Sequence, residues 1–246
     1  MSQDSLEKGY ANRIVSASGG DLQPGPHEDV QAKKAIANPA PLGLAAFALT
    51  TFVLSIINVG GLGIHEPNLV VALAFGYGGL VQLLAGMWEM AIGNTFGATA
   101  LSSYGGFWLS FAIVFTPAFN IVESYTDKAT GVSTFSNVFA IYLWGWFIFT
   151  TLLMLLTLRS TIAFASLFIV LDMAFLCLAL AEQNAGAGNA ATAGALAKAG
   201  GSFGLAAAFL AWYNMFAGIA DKNNFWFAVP VSHLPWSEKA KAAKRH

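Results

Sequence analysis

The chain alternates long stretches without ionised residues and short polar breaks, and six stretches reach or approach the ~20 residues a helix needs to cross a bilayer core. They cover residues 42–63, 69–90, 104–122, 135–158, 161–181 and 201–220. The first carries no charge, and the second meets Glu89 only near its end. The third contains Pro117, which predicts a kink or an opening in its hydrogen-bond ladder. The fourth is rich in aromatics and closes at Arg159, the fifth carries Asp172 near its middle, and the sixth follows a Gly/Ala/Asn-rich segment that reads as a loop. Residues 1–37 differ in kind: Gly19, Gly20, Pro24, Gly25, Pro26 and charges of both signs leave too little apolar surface for that segment to order itself. The pattern therefore predicts an all-α integral membrane protein with a tail at 1–37, a six-helix membrane domain at 38–222 and a second tail at 223–246.

Composition strengthens this reading. The chain is 56% hydrophobic and 10% charged, with a mean hydropathy of +0.60, too few charges to clothe a water-soluble globule of this size. Nothing ionised at neutral pH lies between Lys34 and Glu66, or between Glu89 and Glu123. An even number of spans puts both termini on one side of the membrane. That side would hold ten Lys/Arg, against Lys128 and Lys198 on the other, so the bias of basic residues predicts cytoplasmic termini and outward loops at 64–68, 123–134 and 182–200. A formal net charge of -1 without a basic face excludes nucleic acid as a partner. Cys177 is the only cysteine, which rules out an internal disulfide and reads as an inert packing thiol. No cleavable secretory signal is expected at Met1.

Catalytic groupings are absent. The four histidines are scattered at 27, 65, 233 and 246, no phosphate loop occurs, and neither an enzyme nor a metal or other cofactor is expected. His65-Glu66 reads as a solvated loop pair. Glycines at 60, 61, 63, 76, 78, 79, 93, 97, 200 and 204 fit close helix packing, and Asn58, Gln82 and Asn214 fit helix-to-helix hydrogen bonds. Asp172 and Glu89 are the candidates for proton coupling, since ionisable groups at membrane depth face a cavity, a partner or a proton path. For Asp172 the alternative is a tie to a neighbouring helix, and for Glu89 a pairing with Asn94.

The boundary between tail and membrane is Asn38-Pro39-Ala40-Pro41-Leu42-Gly43-Leu44. Its two prolines hold Ala40 extended, and Pro41 suits the first turn of a helix. A helix start offers free amide hydrogens and a positive dipole end to an anion. Amides near Leu42 to Leu44 and the hydroxyls of Thr50 and Thr51 are thus candidate contacts, with Phe47 one turn from both Gly43 and Thr50.

Residues 38–44 together with Asn58-Val59-Gly60, Gly93-Asn94-Thr95-Phe96-Gly97 and Ser103-Tyr104-Gly105-Gly106-Phe107-Trp108 resemble the acetate uptake transporter family, over about residues 36–235. The resemblance implies six membrane helices per protomer, a homohexameric ring and one pathway per protomer for small monocarboxylates. It places a hydrophobic constriction at Phe47, Tyr104 and Leu171 and a substrate-size position at Ala211; Asn38, Pro39, Pro41, Leu42, Gly43 and Leu44 are read as substrate-binding or pathway residues from the helix start that they form. Asp172 departs from the bacterial pattern, in which a neutral residue stands beside the constriction leucine. The expected function is a plasma-membrane transporter of acetate and similar acids, coupled to a proton. The alternatives are a passive acetate-selective anion channel and a membrane sensor or assembly protein of the same fold.

Overall fold

The computed structural model describes residues 36–63, 68–221, 223–227 and 229–237. Most of the amino-terminal tail, the His65-Glu66 pair and the end of the carboxy-terminal tail lie outside the described residues. Among the described residues six helices are long and apolar enough to cross a membrane: α1 (Ala40–Asn58), α2 (Asn68–Ile92), α3 (Thr95–Phe115), α4 (Phe135–Thr157), α5 (Ile162–Gly186) and α6 (Ala190–Ile219). The chain is an all-α, multi-pass membrane protein.

Two expected spans are displaced, and local chemistry explains both. The third helix starts nine residues before the expected position 104, because Gly93 closes α2 in a left-handed conformation, with φ 86°. Asn94 then caps α3, its side-chain oxygen accepting from the Gly97 amide at 3.0 Å. The helix ends at Phe115, so Pro117 opens a separate short turn rather than kinking a span. Proline pushes the residue before it out of helical geometry, and Thr116 is extended at φ -85°, ψ 115°. The sixth helix begins at Ala190 and has 30 residues. The Ala-rich segment expected as a loop is its first turns, as alanine's helix propensity favours. At 1.5 Å per residue α6 is roughly 45 Å long, more than a hydrocarbon core of about 30 Å, so one end projects beyond the core.

The helices close a ring in chain order. α1 packs against α2 and α6, α2 against α3, and α5 against α4 and α6. α3 and α4 complete the circle through side chains, with Ser110 Oγ 2.7 Å from the Tyr142 hydroxyl and the Tyr104 hydroxyl 2.9 Å from Thr150 Oγ1. Small residues set the α1–α2 spacing. A Cβ added at Gly78 would stand 2.6 Å from Thr50 Oγ1, and one at Gly43 would stand 2.6 Å from Leu101 of α3. Beyond α6 the chain folds back under the α4–α5 turn: Ile162 N donates to Ser232 O at 2.9 Å and Leu234 N to Ser160 O at 3.1 Å. Trp236 Nε1 donates to the Leu158 carbonyl.

Candidate functional site

Because the helices alternate in direction, α1, α3 and α5 all begin at one end of the ring, here called basal. Their starts are capped locally. Asn38 Oδ1 accepts from the Ala40 amide at 3.1 Å, Asn94 caps α3 as above, and Thr161 Oγ1 accepts from Phe164 N at 3.2 Å. Three positive helix ends therefore surround one mouth.

Among the described residues the helices wall two cavities inside the ring. The basal one, about 550 Å3 of empty space, is walled by α1, α3 and α5 with Gln82 from α2. The distal one, about 440 Å3, has walls from α1, α3, α5 and the start of α6, and includes Thr51, Asn58, Trp108, Gly200 and Gly204. Three residues belong to both walls: Phe47, Tyr104 and Leu171. They are buried at 6%, 3% and 5% exposure, and the rings of Phe47 and Tyr104 lie 6.0 Å apart, tilted by 50°. Phe168, Phe175 and Phe149 crowd the Tyr104 ring from other sides, at 6.4, 6.5 and 5.7 Å. The three residues expected to form a constriction thus stand on the shared boundary of both cavities, called the neck below.

The neck is held from behind by α4, which lines neither cavity. Thr150 bonds the Tyr104 hydroxyl, and the adjacent Thr151 donates to Asp172 Oδ1 at 2.9 Å. Asp172 follows Leu171 on α5, so two neighbouring threonines fix two of the three neck residues.

The other expected positions divide. On α1, Leu44 lines the basal chamber and Thr51 the distal one. Leu44, Phe47 and Thr51 thus make one stripe at helical spacing. Gly43 and Thr50 face the packing with neighbouring helices instead, and Thr50 Oγ1 donates to its own helix at Ala46 O, 2.9 Å. The Gly43 amide is spent on Pro39 O at 3.2 Å, while Leu42 is half exposed and Asn38 exposed, on neither cavity wall. Pro39 and Pro41 are buried where α1 starts. Ala211 is fully buried in the apolar core and off both walls. Asp172 is likewise off both walls, bound to α4. Glu89, 1% exposed, accepts from Asn94 Nδ2 at 2.6 Å, and the Ala40 amide also faces its carboxylate.

Sequence reasoning underrated Gln82. It is 0% exposed, sits on the basal wall and has no hydrogen-bond partner for either Oε1 or Nε2. Among the described residues five buried side-chain N or O atoms lack a partner. Four of them belong to cavity-lining Gln82, Thr51 and Trp108. Buried polar groups in proteins are nearly always paired, so these atoms mark where water or a solute sits. A signal was present in the sequence: the glycines at 76, 78 and 79 directly before Gln82 form a π-helical turn, Gly76–Val81, a feature frequent at functional sites. Asn214 instead bonds its own helix, donating to Leu210 O at 2.7 Å. Among the described residues no group of three His, Cys, Asp or Glu could hold a metal ion.

Comparison with known proteins matches residues 18–236 to the GPR1/FUN34/yaaH family. Acetate permease A of Emericella nidulans is 58% identical over 235 residues, covering 94% of this chain and 77% of that protein. The succinate-acetate/proton symporter SatP of Escherichia coli K12 is 37% identical over 157 residues, 63% of this chain and 76% of SatP. A solved structure of the bacterial acetate channel SatP superposes with a TM-score of 0.67 at 31% identity, covering 80% of this chain and 100% of that one.

Proposed function

The chain belongs to the GPR1/FUN34/yaaH family, and on that footing we propose that it carries acetate and similar short monocarboxylates across a membrane, through the two chambers and the neck dividing them. It is a transport protein and not an enzyme, as its relatives are. The observation that carries the reading is that Phe47, Tyr104 and Leu171 alone are common to both cavity walls. A narrow apolar neck excludes larger and more strongly hydrated ions, while the few polar atoms on each side replace part of the water a small acid loses. In this proposal Leu44, Gln82 and Thr51 contact the passing solute. Asn38, Pro39, Pro41 and Gly43 shape the start of α1, and Leu42, Thr50 and Ala211 act through packing.

The same proposal places the protein in the plasma membrane with both termini in the cytoplasm, which the ten-to-two distribution of Lys/Arg supports. Assembly as a homohexamer belongs to it too, resting on the family resemblance. Relatives carry names of both coupling modes, proton symporter and channel. The position of Asp172 off both cavity walls favours a proton that does not pass through that carboxyl. Labelled acetate uptake into proteoliposomes under an inward proton gradient tests the function. Uptake well above that of protein-free vesicles is expected, and equal uptake would refute it.

A further inference from the structure

Where α6 ends, the chain is turned and pinned rather than released. Asp221 Oδ1 accepts from the amides of Asn223 and Asn224 at 2.7 and 3.0 Å, and Asn224 Nδ2 donates to the carbonyl of Ile219, the last residue of the helix, at 2.9 Å. Further on, the segment is held on the α4–α5 turn. Ser232 O and Leu234 N pair there with Ile162 N and Ser160 O, and the Trp236 indole donates to Leu158 O. The Tyr213 hydroxyl of α6 adds a bond to Pro230 O. Leu158, Ile162 and Ile219 stand at the ends of α4, α5 and α6, so these anchors fix the segment at the depth where hydrocarbon meets headgroups.

Between and beside the anchors the segment exposes aromatic rings. Trp226 is 94% exposed, Phe227 62% and Trp236 54%. Phe225 joins them to α6: its ring lies 4.9 Å from that of Phe216, edge-on, and 5.6 and 4.7 Å from those of Trp226 and Phe227. Phe216 and Ile219 are themselves exposed, so the rings continue the outer, lipid-facing side of the helix. Exposed aromatics fit the membrane interface, which takes both an apolar ring and an indole N–H. Directly after the anchored Ser237 the sequence carries Lys239, Lys241, Lys244 and Arg245 against Glu238 alone. An aromatic face by itself would also suit a protein partner. Four cations beside it select a negative surface, and the depth of the anchors puts that surface in the headgroup layer.

We propose that Trp226, Phe227 and Trp236, with the basic run that follows Ser237, dock on anionic phospholipid headgroups at the basal end of the ring. The rings set the depth and the cations choose the lipid. The inference goes beyond the transport reading: it needs only that the helices span a membrane, and none of its residues lines either cavity.

The full-length protein tests it in nanodiscs of phosphatidylcholine with rising phosphatidylserine content. In a Cys177→Ala background an environment-sensitive fluorophore is attached at Ser232→Cys, an exposed position between Phe227 and Trp236. Its emission should move to shorter wavelength as phosphatidylserine rises, and about 0.5 M salt should remove most of that shift by screening. Each basic residue near an anionic surface contributes roughly fivefold, so replacing all four with Gln should abolish the phosphatidylserine response. Trp226→Ser with Phe227→Ser should leave the emission at longer wavelength in every lipid mixture, neutral discs included. Equal emission in neutral and anionic discs, an undiminished response in the Gln variant, or a ring variant indistinguishable from wild type would overturn the inference. A shift that requires two or more chains per disc, whatever the lipid, would overturn it too and give the surface to a second copy. Labelled acetate uptake by the Gln variant in neutral vesicles should match wild type, so the transport reading stands or falls separately.

Discussion

Exchanging the two partners of the Tyr104–Thr150 bond separates scaffold from pathway at the neck. The hydrogen bond is 2.9 Å long between two buried hydroxyls, with Tyr104 3% and Thr150 0% exposed. Tyr104→Phe keeps the ring and removes the hydroxyl, and the Thr150 hydroxyl can then turn to a carbonyl of its own helix, as Thr50 does with Ala46 O. The loss is that of a net neutral hydrogen bond, about 1 kcal/mol. Thr150→Val keeps the shape of α4 but strands the tyrosine hydroxyl in an apolar core, which adds a desolvation penalty of about 1–3 kcal/mol. Thermal unfolding in detergent should therefore rank the variants wild type, Tyr104→Phe, Thr150→Val, and the double variant should be no worse than Thr150→Val alone. Acetate uptake at equal protein should fall less than about threefold in Tyr104→Phe, because the apolar face that forms the neck is unchanged. Both variants break the tether of the ring to α4, so propionate and butyrate should gain on acetate in each, and Thr150→Ser, which keeps the hydroxyl, should keep the wild-type ratio. A tenfold loss of uptake in Tyr104→Phe with unchanged stability would refute this reasoning, since it would put the hydroxyl on the solute rather than on Thr150.

Other predictions follow from single contacts. Asp172→Asn keeps an oxygen for the Thr151 hydroxyl, so proton-driven acetate accumulation should persist within about twofold; loss of coupling with retained exchange would make Asp172 the coupling residue. Gly78→Ala drives a methyl into Thr50, against its Oγ1 at 2.6 Å and its Cβ and Cγ2 at 2.8 Å, and should destabilise by about 1–3 kcal/mol; Thr50→Ala, which removes the first and last of these contacts but keeps the Cβ, should restore only part of the melting temperature in the double variant. Asn94→Ala removes the cap of α3 and the partner of buried Glu89. Its loss should exceed the ~1 kcal/mol of a cap alone, read as a lower melting temperature than for Asn38→Ala, whose side chain is exposed.

The number and type of helices were legible because hydrocarbon solubility demands ~20 apolar residues per span, and such runs stand out without any neighbour in view. The boundaries at 95 and 190 were not, because Thr95 to Ser103 and Ala190 to Gly200 are built largely from small, weakly apolar residues. Hydropathy reads those as loop. At the site, the family resemblance placed Phe47, Tyr104 and Leu171 together. Which residue of an adjacent pair faces the pathway was beyond it. Neighbours on a helix point about 100° apart, and only the packing of α1 on Gly78 turns Thr50 away and Thr51 inward. Gln82 was misread for a related reason: an intramembrane amide signals a hydrogen bond, and the sequence does not say that the protein supplies no partner.

The central claim, that solute passes between Phe47, Tyr104 and Leu171, is open to a direct test because the chain has a single cysteine, Cys177. In a Cys177→Ala background, Leu171→Cys places a thiol in the neck, and Ile141→Cys places one on the outer face of α4, where Ile141 is 71% exposed. After complete reaction with a small methanethiosulfonate, labelled acetate uptake into proteoliposomes should fall to the protein-free level for Leu171→Cys and stay unchanged for Ile141→Cys. Undiminished uptake by fully modified Leu171→Cys protein would contradict the account.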